Sequence, residues 1–425
     1  MIKTKHIIFA FALVLSSVTQ TGFAQSGKAK KLDEFITPFA KANQFSGVVL
    51  ASENGKVIYE KAFGLANADY NIPNQLNTRI GIASITKYMT SVVLNRLIES
   101  NKIALADKLN KYIPDFPNGD KITIEMLARH RSGIPHRVMP PEAESLPYTS
   151  AEFIEKVKQA KLAFEPGANR LYSSAGYSVL ARVLEIVSGK SYAQLLDEYV
   201  FKPAGMTDSL DFDGEMVMER RAQDYYLSPN GLINVPLKNY SFLVGAGSVY
   251  GTARDVYRFG EAVLDGKYGE GVKASLVGQT NINGSGSTNG HRSYFEIARD
   301  KKYGFVILAN SAGAFDVVSQ GLLEILQGKE PTVKAFAIPK TIPNPNKNLT
   351  EFLGHYKRSD GNGETDVVIR NGFLYSADIK LWPTRVDCFF EYRFFGDVCF
   401  IRDDSAKIKE IKWKGNNFDL TWVKQ

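Results

Sequence analysis

The sequence is poor in the residues that most often announce a function. Its 425 residues include two cysteines, too few for a disulfide-built scaffold or a cysteine-rich zinc module. Five histidines (His6, His130, His136, His291 and His355) stand at no metal-ligand spacing, and a satisfied surface or core histidine is the plainer reading of the last four. Neither a metal nor another cofactor is therefore expected. There is no G-x-S-x-G, no H-E-x-x-H and no G-x-x-x-x-G-K-[ST], which removes three common routes to hydrolysis or phosphate binding. Beyond the N-terminus no run approaches the roughly 20 apolar residues a membrane span needs. The formal net charge of +7 is mostly terminal. Lys3, Lys5, Lys28, Lys30 and Lys31 precede the first acid, Asp33, while residues 349–425 carry 12 Lys/Arg against 12 Asp/Glu. Such an excess offers no face to nucleic acid or to a membrane surface, which leaves a small molecule or peptide as the expected partner. Nothing sets an oligomeric state.

What is present begins with an address. Lys3 and Lys5 precede an apolar stretch over 7–18, broken only by Ser16 and Ser17, and Gly22-Phe23-Ala24 supplies small residues where a signal peptidase reads. Residues 1–24 read as a signal peptide cut after Ala24, and the mature protein as exported, periplasmic or secreted. Cys388 and Cys399 would then meet an oxidising compartment, either bonded or as free thiols.

Residues 25–330 read as one large α/β domain. Leu32, Phe35, Ile36, Phe39 and Ala40 recur at helical spacing, and two β-rich runs flank Glu53-Asn54-Gly55, a hairpin signal. Residues 84–99 and 174–187 read as apolar helices, and 303–310 as an interior strand. Residues 331–348, rich in Pro and Asn, read as an exposed, semi-stiff linker. Residues 349–425 alternate short aromatic strands with turns and read as a small antiparallel β-barrel. Trp382, Phe389, Phe390, Tyr392, Phe394, Phe395, Trp413 and Trp422 are expected in its core.

The chemistry lies at Ser84-Ile85-Thr86-Lys87, the only S-x-x-K in the chain, at the start of an apolar helix. Side chains three apart on a helix share a face. A serine there is commonly a cap, but a lysine one turn into an apolar helix is not explained by capping. Burial favours its neutral form, which can take a proton from the neighbouring hydroxyl.

Residues 82–87 resemble the first motif of the serine β-lactamase and penicillin-binding-protein superfamily, and the flanks resemble its class C-like branch. Leu127-Ala-Arg-His130-Arg-Ser132-Gly133-Ile-Pro135 is similar to "LLxHtSGLP", and Phe164 to Tyr177 to "FxPGxxxxYSNxGY". Residues 201–209 resemble "FxPLGMxDT", and 245–255 resemble "aGGlxsTaxDl". The resemblance covers about residues 30–327. It implies a β-lactamase/transpeptidase-like α/β sandwich, an antiparallel sheet flanked by helices, with a β-barrel appended.

It also implies roles. Ser84 matches the acylated nucleophile, Lys87 its base or relay, and Tyr172 the tyrosine that shares the proton, its phenol made more acidic by a cationic Lys87. The 284–294 segment aligns with "KTGSTGGFGSY". Ser287 matches the residue whose N–H completes the oxyanion hole with that of Ser84, and Ser285 and Gly286 line the substrate. Two positions depart from the family. Gly284 stands where a Lys or His is usual, and Ser174 where Asn is usual, with Arg292 the one nearby cation that could reach in. The implied activity is a serine hydrolase for esters or D-amino-acid-containing peptides and amides. A non-catalytic binder of cell-wall fragments is the alternative, and a true β-lactamase or D-Ala-D-Ala carboxypeptidase is disfavoured.

Overall fold

The computed structural model describes residues 27–425 apart from 276–277, 312, 334, 336–338, 347, 362, 378 and 416–417. The expected signal peptide lies outside the described residues.

The first hairpin shows how the sequence sets the frame. Strands β1 (Ser46–Glu53) and β2 (Lys56–Phe63) pair antiparallel. Asn54 and Gly55 turn between them with φ of 51° and 72°, the left-handed pair a tight hairpin requires. The central sheet runs β3 (Asn281–Ser287), β4 (Arg292–Ala298), β5 (Tyr303–Ser311), β1, β2, with every neighbouring pair antiparallel.

Its inner strands alternate between two cores. Val48 and Leu50 of β1, with Val306 and Leu308 of β5, face helices α2 (Thr86–Glu99), α3 (Ser174–Ser188) and α4 (Ala253–Leu264). Val49, Ala51, Phe305 and Ile307 face α1 (Gly27–Lys41) and α5 (Phe315–Leu326). β5 is buried along its whole length, which is why it reads as a continuous apolar run rather than an alternating one. α2 buries Met89, Val92, Val93 and Leu97, each worth about 1.5–3 kcal/mol of burial, and so fixes the residues at its start.

Gly354–Arg358 through Asp419–Lys424 form a separate antiparallel sheet, nine-stranded among the described residues. Its two edge strands, Ile379–Lys380 and Trp382–Arg385, are separated in sequence by Leu381 alone, so the sheet curls nearly into a closed barrel. Phe352, Tyr356, Phe389, Phe400, Trp413 and Trp422 fill it. Cys388 and Cys399 face each other across neighbouring strands and are joined in a disulfide.

One expectation changes here. Phe390, Tyr392 and Phe395, with Trp382 beside them, do not fill the barrel but cluster with Leu227 and Leu232 of the large domain. They are the seam between the two units, a role that alternation within one strand cannot distinguish from a core. The described residues of the Pro/Asn-rich stretch are exposed or half-buried, and two contacts tie it to the barrel. Ile342 N–H donates to Pro383 O at 3.1 Å, and Asn346 Oδ1 accepts from Asp387 N–H at 3.2 Å.

Candidate active site

Ser84 is delivered by a short chain of backbone constraints. Ile80–Gly81 pairs with Val249–Gly251, and Ile82 N–H donates to Val249 O at 2.9 Å. Ala83 then adopts φ of 49°, a left-handed conformation costly for a residue with a Cβ, and turns the chain into Ala83–Ile85 and on into α2. Strain of this kind persists only where the surroundings hold it, and Ala83 is fully enclosed.

The Ser84 hydroxyl sits between two proton carriers. Tyr172 OH donates to Oγ at 2.8 Å, and Lys87 Nζ, one turn along, donates to it at 3.2 Å. Nζ also donates to Ala246 O at 2.6 Å. Lys87 is 5% exposed, and burial lowers its pKa from 10.5 to about 7. Burial pushes Tyr172 the other way, above its ordinary value, the bond to Ser84 offsetting part of this. This corrects the expectation of an acidified phenol. Desolvation disfavours both charged forms, so near neutrality the pair is a lysine that readily becomes an amine and a tyrosine that stays protonated.

Two histidines hold Tyr172 in place. Nδ1 of His130 accepts from Ser173 N–H at 3.1 Å and Nδ1 of His136 from Ser174 N–H at 3.2 Å. Their rings lie 4.6 and 5.4 Å from that of Tyr172. Burial first, then Lys87, lowers both to about 4, so both are neutral and their Nδ1 atoms accept. The sequence reading made them ordinary surface or core residues; their one signal is that they bracket the Ser132-Gly133-Ile134-Pro135 turn. His291 is fully buried beside Asp224, and His355 lies on the barrel beside Asp366. Among the described residues no three His, Cys, Asp or Glu side chains gather as a metal site.

β3 closes the other side. It is the edge strand, with Ser285 and Ser287 exposed toward the cleft and Gly284 and Gly286 turned inward. Thr288 N–H donates to His291 O at 3.0 Å, so 287 and 292 form the next, non-hydrogen-bonded pair, and the Ser287 N–H points away from β4 toward the open edge. A Cβ on Gly286 would stand 2.4 Å from Ile82 O and 2.8 Å from Ser84 N, so only glycine lets the strand approach the nucleophile. Ser84, Lys87, Tyr172, Ser174, Ser285, Gly286 and Ser287 all line one cavity of about 910 Å³.

The two departures have different structural meanings. Ser174, the first residue of α3, is short, buried and lines the cavity. At Gly284 there is no vacancy, because a Cβ would meet the Phe295 ring at 2.7 Å and the Tyr88 ring at 3.1 Å. The space beside that position is taken by aromatic rings. Arg292 points along the cavity toward α5, where it pairs with Asp316 at 2.6 Å over the Phe315 ring.

A family model described as Beta-lactamase matches residues 32–328. The chain belongs to the β-lactamase family. Within that family it is 28% identical over 284 residues to the D-alanyl-D-alanine-carboxypeptidase/endopeptidase AmpH of Escherichia coli (strain K12), a match covering 62% of this chain and 70% of that protein. It is 29% identical over 236 residues to the teichoic acid D-alanine hydrolase of Staphylococcus aureus (strain MRSA252), covering 54% of this chain and 56% of that one. Like the latter match, several others span little more than half of the relative's own length. The octameric penicillin-binding protein homologue from Pyrococcus abyssi superposes with a TM-score of 0.60 at 21% identity, over 92% of this chain and 99% of that one. The β-lactamase-family fold therefore holds for this chain, and the superposition takes in most of the barrel as well.

Proposed function

We propose that this β-lactamase-family protein is an exported serine hydrolase that works through an acyl-enzyme on Ser84. The observation that carries the reading is the Ser84 hydroxyl held by Tyr172 at 2.8 Å and by Lys87 at 3.2 Å, with the lysine lowered to about 7. With Lys87 neutral, Nζ accepts the Ser84 proton as Oγ attacks the substrate carbonyl. The N–H groups of Ser84 and Ser287 receive the oxyanion. Tyr172 passes a proton to the departing oxygen or nitrogen and is recharged from Lys87, which holds the proton taken from Ser84. Water then cleaves the acyl-enzyme by the same route in reverse.

Esters and amides of D-amino acids are the substrate class this site suits. Support comes from the names of the relatives, one a D-alanine hydrolase and one a D-alanyl-D-alanine-carboxypeptidase/endopeptidase. The short Ser174 and the cation-free Gly284 argue against efficient turnover of β-lactams, which leaves esters, with their better leaving groups, as the easier substrates. Export rests on the N-terminal leader; no helix among the described residues is long and apolar enough to cross a membrane.

A fluorophosphonate probe should label the wild type and not Ser84→Ala, and p-nitrophenyl esters should be turned over only by the former. The rings packed against Gly284 favour the second reading, a binder of cell-wall fragments without turnover. Absence of labelling and of ester turnover at pH 8, where Lys87 is mostly neutral, would decide for it.

A further inference from the structure

His136 stands beside Tyr172 on a segment clasped at two consecutive residues. Ser173 Oγ donates to Pro135 O at 2.9 Å, and Ser174 N–H donates to His136 Nδ1 at 3.2 Å. The turn before it is set by Gly133, at φ of 82°, where a Cβ would stand 2.3 Å from Phe164 O. The ring centroid lies 5.4 Å from that of Tyr172, and the imidazole is exposed where it lines the Ser84 cavity.

The bond to Ser174 sets the state of the other ring nitrogen. A ring nitrogen that accepts from an N–H carries no proton of its own. Desolvation first, then the charges of Lys87 and Arg137, hold the imidazole down at about 4, so near neutrality the ring has a single proton, on Nε2. Among the described residues the ring's one hydrogen bond is that through Nδ1, which leaves Nε2–H as a neutral donor without a protein partner. The neighbouring Ser174 hydroxyl also has no partner among the described residues and lines the same cavity.

In the proposed reaction the N–H groups of Ser84 and Ser287 meet the oxyanion and Tyr172 meets the leaving group, which assigns no donor to the acyl chain. We propose that His136 Nε2–H donates to a carbonyl oxygen on the acyl chain, so that the enzyme prefers N-acylated amino-acid esters and peptides to plain alkanoyl esters. A neutral donor suits a neutral acceptor, and a ring fixed through its second nitrogen needs little ordering when the substrate enters. Val138 and Met139, the next cavity-lining residues after Arg137, offer an apolar wall to the rest of such a chain. An acyl chain without the carbonyl would cover the donor and leave it unsatisfied, which discriminates against it. The proposal rests on the serine-hydrolase reading for its substrates, and not for the state of the imidazole.

The test uses the mature chain and p-nitrophenyl N-acetylglycinate against p-nitrophenyl pentanoate, acyl chains of equal length that differ in the amide. His136→Phe keeps a ring, and His136→Gln keeps a donor where Nε2 stood. Both lose the acceptor for Ser174 N–H, so any slackening of Tyr172 is common to the two variants and falls on both esters. The ratio of kcat/KM between the esters should drop about five-fold or more in His136→Phe and recover in part in His136→Gln. A ratio unchanged in His136→Phe, or no higher in His136→Gln than in His136→Phe, overturns the proposal. Independently of turnover, long-range proton–nitrogen spectra of Ser84→Ala should place the His136 proton on Nε2. N-acetylglycine methyl ester should shift that nitrogen, and methyl pentanoate should not. A proton on Nδ1, no shift with the amide, or equal shifts with both probes also overturns it. If the wild type turns over neither nitrophenyl ester, the hydrolase reading falls while the spectra still decide the donor.

Discussion

Replacing Lys87 by methionine should make the protein harder to unfold at pH 6 while abolishing ester turnover. Lys87 is almost fully enclosed, and burial alone lowers its pKa from 10.5 to about 7. Between those two values the unfolded chain binds a proton here and the folded chain does not, so stability rises as pH climbs through that window. Below pH 7 both states carry the proton, and the folded state bears the whole cost of the buried ammonium, about 5 kcal/mol for that displacement. At pH 9 roughly 2 kcal/mol of the cost is left. Methionine keeps the volume and discards the charge. It also removes the donor that Ala246 O receives at 2.6 Å, leaving a buried carbonyl unsatisfied at about 1–3 kcal/mol. The net is a gain of about 2–4 kcal/mol at pH 6, falling to about zero near pH 9. Urea titrations of both proteins at pH 6, 7, 8 and 9 read this directly. A stability difference that stays constant across that range would refute the reasoning, because it would mean that the buried charge is not what the substitution removes.

Other expectations follow from the same geometry. On a neutral ester, kcat/KM should fall ten-fold per pH unit below about 7, as Lys87 takes up its proton, and level off above; Tyr172→Phe should lower kcat by about 10²–10⁴ without moving that limb. Gly286→Ala places a methyl 2.4 Å from Ile82 O and 2.8 Å from Ser84 N, backbone atoms that cannot step aside, so fluorophosphonate labelling of Ser84 should slow at least a hundred-fold. Gly284→Lys should cost about 1–3 kcal/mol in a urea titration by displacing the Tyr88 and Phe295 rings, and Tyr88→Ala in the same chain should recover part of it. Cys388→Ala/Cys399→Ala opens a loop with a sequence separation of 11, worth about 3 kcal/mol by chain entropy, and should lower stability in a urea titration while leaving the neutral-ester rate unchanged at low urea.

How much of this was legible in the sequence depends on the distance over which each signal acts. The first hairpin, α2 and β5 were readable because Asn54-Gly55, the apolar face after Ser84 and the run at 303–310 are local patterns. The family motifs named Ser84, Lys87 and Tyr172, and the structure brings all three within hydrogen-bonding reach. Their acidities were not readable. Whether a tyrosine beside a lysine gains or loses acidity depends on how much water each keeps, a property of the assembled cavity. The rings over Gly284 were equally hidden, since Tyr88 and Phe295 are 207 residues apart in the chain and each looks like ordinary core. So was the positive cavity. Arg137, Arg170, Lys238 and Arg292 form no run in the sequence and converge only in the assembled large domain, and Arg393 lines the same cavity from the barrel.

The residues of the proposed chemistry all sit in one domain. Ser84, Lys87 and Tyr172 are positioned by α2, by the loop leading into α3 and by the 245–249 segment, all packed in one core. Among the described residues, their side-chain hydrogen bonds stay within the large domain. Arg393 instead hangs on a turn fixed by Glu391, on a seam of three aromatic rings and on a disulfide at the hairpin's base. Substitutions in that turn should therefore leave the hydroxyl, the amine and the phenol in place, whereas a change as small as one methyl at Gly286 reaches the nucleophile directly.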